Sequence, residues 1–173
     1  MMNATLRVNG ADRTLALDAS ITIRGASVER EVPIADFFTL PTDDHPLETT
    51  LQPGELILSI DLTATSSRGT FYKAMDRKTW AFALISVAAS VTVTEGNISE
   101  ARVVLGGVAP VSWRVEEAEQ ALIGSTVNSA SIDRAVEAAL SNAQPLEHNG
   151  YKVPLAKSLM RQALRLVAVG PLN

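Results

Sequence analysis

The sequence predicts an α+β fold in which an antiparallel β-sheet packs on a C-terminal layer of three helices, preceded by a short β-rich segment. Three observations carry that expectation. From Ser86 to Thr94 the residues alternate, with Val87, Ala89, Val91 and Val93 on one face and Ser86, Ala88, Ser90, Thr92 and Thr94 on the other, the period of a half-buried strand. Glu95-Gly96-Asn97 supplies a turn, and Ala101 to Val108 returns as a β-branched run ending in Gly106-Gly107, where missing side chains let another backbone come close. Beyond Val115 the apolar spacing changes from two to that of helices.

Taken in order, Thr5 to Leu17 reads as a hairpin joined around Asn9-Gly10. Ile21-Thr22-Ile23 and Glu31-Val32-Pro33-Ile34 form a second strand pair around Gly25, and Thr39 to Thr50 is a polar loop containing Asp43, Asp44 and His45. Leu51 to Glu55 is a turn, Leu56 to Leu62 alternates as a strand, and the Ser/Thr-rich stretch Thr63 to Gly69 is the best boundary. The chain thus divides into residues 1–62 and 68–173. After Pro110 to Trp113, Val115, Ala118 and Leu122 share a helical face, and Gly124 suits a left-handed helix end. Ser131 is placed to cap a second helix with the stripe Ile132, Ala135, Val136, Ala139 and Leu140, ended by Pro145. Pro154 suits the first turn of a third helix, whose apolar face is Leu155, Leu159, Ala163, Leu166 and Val167.

Composition excludes several chemistries. Among 173 residues there is no cysteine, so no disulfide framework, thiolate metal site or cysteine nucleophile can be built. His45 and His148 stand far apart and in no HExxH pattern, no GxSxG elbow surrounds a serine, and Gly106-Gly107 lacks the lysine of a phosphate loop. A net charge of −4 argues against a general nucleic-acid binder. No apolar run reaches membrane-span length and no secretory signal opens the chain, so it reads as soluble, cytoplasmic or periplasmic. The acidic residues concentrate before Leu62, leaving a mildly basic remainder that suits a dinucleotide phosphate, an acidic partner surface or plain solvation.

The densest chemistry lies ahead of the long hairpin, in Tyr72-Lys73-Ala74-Met75-Asp76-Arg77-Lys78-Thr79-Trp80. Two aromatics, several cations and a carboxylate make it the candidate ligand site. The same residues read, on physics alone, as an edge strand protected by charge with Trp80 in the core. Lys157, Arg161 and Arg165 form a basic stripe on the third helix, either a docking surface or an ordinary wet face.

YKAMDRKTWAFALISVAA, then ARVVLGGVAPVSWRVEEAEQAL, then HNGYKVPLAKSLMRQAL resemble the C-terminal domain of the FAD-binding subunit of molybdenum hydroxylases, within the xanthine dehydrogenase, aldehyde oxidoreductase and CO dehydrogenase flavoprotein family. Pro33-Ile34-Ala35-Asp36-Phe37-Phe38 resembles the segment that closes that subunit's FAD-binding domain, making residues 1–62 a remnant of it and 68–173 the C-terminal domain. The resemblance implies a flavin-facing role for Tyr72, Lys73, Asp76, Arg77 and Trp80. It implies FAD as cofactor, with molybdopterin and iron–sulfur clusters on a large and a small partner subunit, and leaves a homodimer open. The glycine-rich loops that hold the FAD pyrophosphate in that family are missing, so the FAD must be shared with a missing N-terminal half or a partner, and binding by this chain alone is expected to be weak or absent. The alternative is a truncated, non-catalytic fragment or subunit-docking module. Val8-Asn9-Gly10 and its flanks resemble instead the first hairpin of the iron–sulfur subunit, without its cysteines. A splice or deletion joined at Leu17-Asp18-Ala19 would explain this, as would coincidence in a short pattern.

Overall fold

A computed structural model describes residues 4–8, 11–15, 19–62, 67–77 and 81–169. The long hairpin is its centre. β7 (Ile85–Thr94) and β8 (Asn97–Gly106) pair antiparallel, flanked by β6 (Arg68–Ala74) on β7 and the two-residue β9 (Trp113–Arg114) on β8. The sheet order is β6-β7-β8-β9, with β6 at an edge. Val87, Ala89 and Val91 are buried as the alternation requires. Val93 is not, because a bulge after Thr92 breaks the register near the hairpin tip. The turn is shorter than expected: Glu95 and Gly96 alone make it, both at positive φ (52° and 81°), and Asn97 is already the first residue of β8. Two consecutive left-handed residues match the right-handed twist of the strands they join.

Three helices cover one face of this sheet, α2 (Glu116–Leu122), α3 (Ser129–Ala139) and α4 (Lys152–Val169). Val115, Ala118 and Leu122 are fully buried, and Gly124 adopts a φ of 78°, as the spacing predicts. Asn128, rather than Ser131, caps α3: its Oδ1 accepts from the Ser131 N–H while the Ser131 hydroxyl accepts from the Asn128 N–H. Serine three residues into a helix satisfies the cap from the other side, as the partner in a capping box. α3 ends at Ala139, well before Pro145. α4 buries Ala156, Met160, Ala163, Leu164 and Val167, a face turned by about one residue from the expected one, so that Leu155 and Leu159 lie at its margin. With Val87, Val91, Leu105, Leu122, Ile132 and Val136, the residues Met160, Ala163, Leu164 and Val167 form a single core.

The N-terminal part has its own, smaller core. β1 (Ala4–Val8) and β2 (Ala11–Leu15) form the first hairpin, and its Asn9-Gly10 turn lies outside the described residues. β3 (Ala19–Arg24) pairs with β4 (Glu29–Pro33) on one side and with β5 (Leu56–Leu62) on the other. Ile21, Ile23, Val32 and, from the single-turn α1 (Ile34–Phe37), Phe37 pack together. β5 shows no inward face: every residue in it is exposed, Leu56 to 71 %. The stretch between the two parts is shorter than the expected connector, since Ser67 is buried and Arg68 opens β6, while residues 63–66 lie outside the described set.

Arg30 on β4 ties this small sheet to the turn before β5. Its guanidinium donates from Nε and Nη2 to the two carboxylate oxygens of Glu55, at 3.0 and 2.8 Å, and from Nη2 to the Thr50 carbonyl. The hydrogen bond from Arg30, seconded by the Gln52 N–H, holds the Glu55 carboxyl down at about 2, against a usual 4.5. A depressed carboxyl stabilises the folded state above its unfolded pKa and ceases to do so as pH falls through the folded value. Acid unfolding is therefore expected to gain a component between about 4.5 and about 2 that Arg30→Ala removes. Urea midpoints of both proteins across that range test this, and identical pH profiles would refute it.

Candidate functional site

β6 delivers Tyr72 and Lys73 to opposite faces of the sheet, as successive strand residues must be. Tyr72 pairs with Val87 and its ring packs against the main core, half-buried. Lys73 is exposed and pairs with Ser86. Directly after them the Leu84 N–H donates to the Ala74 carbonyl at 2.8 Å, bringing together the two ends of the stretch between them. Within it Met75, Asp76 and Arg77 are exposed. Lys78, Thr79 and the predicted Trp80 lie outside the described residues. The structure thus brings Lys73, Asp76 and Arg77 to one exposed end of the sheet and gives Tyr72 a wall of core side chains.

The same loop holds an aromatic that the sequence reading did not single out. Phe82 is 97 % exposed, the largest exposure among the large hydrophobic side chains described. In the run Ala81-Phe82-Ala83-Leu84-Ile85 it passes for core. The run precedes β7, which begins at Ile85, so the alternation of that strand does not set the side on which Phe82 lies. A bare phenyl ring can stack on a planar ligand, and the cations and carboxylate of the same stretch can fix a charged group.

The double glycine backs this loop. A Cβ on Gly107 would lie 2.8 Å from the Leu84 carbonyl oxygen, and one on Gly106 would lie 2.4 Å from the Ser86 hydroxyl. The expected close approach of another backbone is therefore real, and the backbone concerned is the returning arm of the loop. On its other side the Gly107 carbonyl accepts from Lys152 Nζ at 2.7 Å, linking the start of α4 to the same point.

Elsewhere the chemistry is structural. Lys157 donates to Glu137, and Arg161 to Asp133 and Glu137, so two cations of the basic stripe join α4 to α3 rather than face a partner, leaving Arg165 exposed. The Lys157 hydrogen bond, then Arg161, holds the Glu137 carboxyl below its usual range. His45 Nε2 lies 3.0 Å from the Thr49 carbonyl, and His148 is exposed. Asp43 and Asp44 are exposed in their loop. Among the described residues no group of three or more His, Asp or Glu side chains could hold a metal, and no helix is long and apolar enough to cross a membrane.

Residues 70–167 match the family described as the CO dehydrogenase flavoprotein C-terminal domain. The chain is 35 % identical over 150 residues to the aldehyde oxidoreductase FAD-binding subunit of Escherichia coli, covering 86 % of this chain and 44 % of that protein. It is 30 % identical over 157 residues to the glyceraldehyde dehydrogenase medium chain of Sulfolobus acidocaldarius, covering 88 % and 54 %. Among solved structures, carbon monoxide dehydrogenase of Hydrogenophaga pseudoflava superposes with a TM-score of 0.78 at 26 % identity, over 91 % of this chain and 55 % of that one. Quinoline 2-oxidoreductase of Pseudomonas putida shares the fold, at 0.78 and 23 % over 89 % and 53 %. The chain spans about half the length of the curated relatives it matches.

Proposed function

We propose, from the premise that this chain belongs to the CO dehydrogenase flavoprotein C-terminal domain family, that it forms part of the FAD-binding subunit of a molybdenum-containing aldehyde or xanthine dehydrogenase. The observation that carries this reading is the exposure of Asp76, Arg77 and Phe82 in the stretch closed by the Ala74–Leu84 hydrogen bond, at the end of the strand that bears Lys73. The chemistry FAD supplies is electron transfer from iron–sulfur clusters to an acceptor, and a protein contributes orientation and shielding. Here Phe82 offers a ring face to the isoalloxazine, Lys73 and Arg77 offer positive charge at its edge, and Asp76 offers an acceptor. Tyr72 supports the strand from the core side, and Trp80 belongs to the same stretch.

This donor set fits the flavin ring and not the pyrophosphate, for which the sequence has no glycine-rich loop. FAD is therefore shared with polypeptide beyond residues 1–62, the remnant of the FAD-binding domain, while residues 68–173 cover the flavin. Molybdopterin and iron–sulfur clusters belong to a large and a small partner subunit. A second reading, a docking module that binds no FAD itself, is favoured by the half-length match to the relatives.

Calorimetric titration of the chain with FAD separates the two. Weak saturable binding is expected, reduced about tenfold in Phe82→Ala, since one ring-stacking contact is worth about 1–3 kcal/mol. Arg77→Ala is expected to weaken it too, and Tyr72→Ala to cost stability first. No detectable heat, with co-purification of the chain alongside molybdenum and iron–sulfur subunits, would establish the docking module instead.

A further inference from the structure

A concavity lies away from the loop just discussed, where the β8–β9 connection, the α3–α4 connector and the first turns of α4 converge. It encloses about 260 Å³. Leu105 and Ala156, both fully buried, form its apolar base, and Val108, Trp113, Leu140 and Val153 its walls. Small-molecule sites are mostly apolar concavities with a few convergent polar groups, usually of roughly 300–1,000 Å³ for drug-sized ligands. This one is the size for a single ring with a short substituent.

Its polar lining is selective. Lys152 is partly buried and spends one of its three donors on the Gly107 carbonyl at 2.7 Å, which fixes the ammonium at the cavity and leaves two donors. The neighbouring backbone cannot substitute for it. The N–H groups of Lys152 and Val153 already donate to the Asn149 and Gly150 carbonyls, and Pro154 has none. Glu117, the carboxylate among the lining side chains, is exposed, so water screens its charge more than that of Lys152. Asn149 accepts from the Leu146 N–H through Oδ1, which turns its amide nitrogen into a further available donor. A cavity with an apolar base, a rim that includes Ser141, Asn142 and Gln144, an anchored cation and an amide donor favours a ligand with one apolar part and one anionic part.

We propose that the cavity between the β8–β9 connection and the α3–α4 connector binds a small molecule that joins an apolar ring to a carboxylate, with Lys152 as its counter-ion. The site is separate from residues 72–82, yet coupled to them. The Gly107 carbonyl that holds Lys152 belongs to the residue pressed against Leu84, so a carboxylate that draws the ammonium away loosens the backing of the loop.

Phenylacetate and its neutral isostere phenylacetamide are suitable probes, titrated into the full nitrogen-labelled chain while the Trp113 indole N–H is followed by NMR. Saturable shifts at Trp113 are expected for both, with the carboxylate tighter by about tenfold, the discrimination of one charge-assisted hydrogen bond. Lys152→Met should erase that preference and leave amide binding unchanged, and Val153→Trp should block both by filling the space. Absence of saturable shifts in the unmodified chain would overturn the site. Equal affinity for the two probes, or a preference that survives Lys152→Met, would overturn the role of the cation. The comparison of probes in the unmodified chain decides the matter even if a variant fails to fold.

Discussion

Glu119→Ala is expected to destabilise the C-terminal part by about 2–4 kcal/mol, far more than an acidic residue in a helix ordinarily contributes. Glu119 is only 4 % exposed. Its Oε1 accepts the Val103 N–H at 3.0 Å, and its two oxygens receive Arg114 through Nε and Nη2, the latter at 2.8 Å. The reason lies in the sheet. β9 is two residues long, and Val115 just beyond it still donates its N–H to the Val103 carbonyl at 2.9 Å but gives its own carbonyl to the Ala118 and Glu119 N–H groups of α2, so it cannot receive the Val103 N–H. A carboxylate from α2 completes the ladder that the chain has stopped building. Alanine leaves a fully buried donor without a partner, whereas the half-exposed Arg114 can turn to water. Glu119→Gln keeps an acceptor for Val103 and should cost about 1 kcal/mol. Urea denaturation of the two variants distinguishes these, and equal losses would sink the explanation.

Gly107→Ala is expected to cost about 2–4 kcal/mol, where Gly124→Ala costs about 1 kcal/mol. Both glycines have a φ near 75° to 78°, so both substitutions carry the penalty of a left-handed Cβ. Only at Gly107 is the space taken as well, by the Leu84 carbonyl oxygen at 2.8 Å and the Ala83 oxygen at 3.4 Å. Nothing lies within 4 Å of a Cβ on Gly124. The difference between the two variants therefore isolates packing from backbone preference. Amide chemical shifts should confirm it, moving at Phe82 and Leu84 for Gly107→Ala and staying local for Gly124→Ala. If the two glycines prove equally costly, the close approach has no energetic content.

What could be read beforehand was what depends on near neighbours. The alternation of β7, the left-handed turn and the face Val115, Ala118 and Leu122 follow from local spacing, and each is present. The misses share a different cause. Glu119 sits in a Glu-Glu-Ala-Glu-Gln run that looks like a wet helix face, and only the truncation of β9 gives it a task. Lys157 and Arg161 looked free because their acidic partners stand more than a helix away in sequence, on α3. Of the predicted site, Lys73, Asp76 and Arg77 were legible as a polar cluster. Phe82 was hidden in an apolar run whose inward members surround it.

β5 has a consequence for the behaviour of the chain in bulk. It is the outer strand of its sheet, and Leu56, Ile57, Leu58, Ile60 and Leu62 are all open to solvent on it. Such an edge is a template on which a second strand can crystallise at low cost. Colloidal behaviour is therefore expected to depend on the seven residues of β5: light scattering should rise with concentration, and Ile60→Lys should suppress that rise by acting as a gatekeeper.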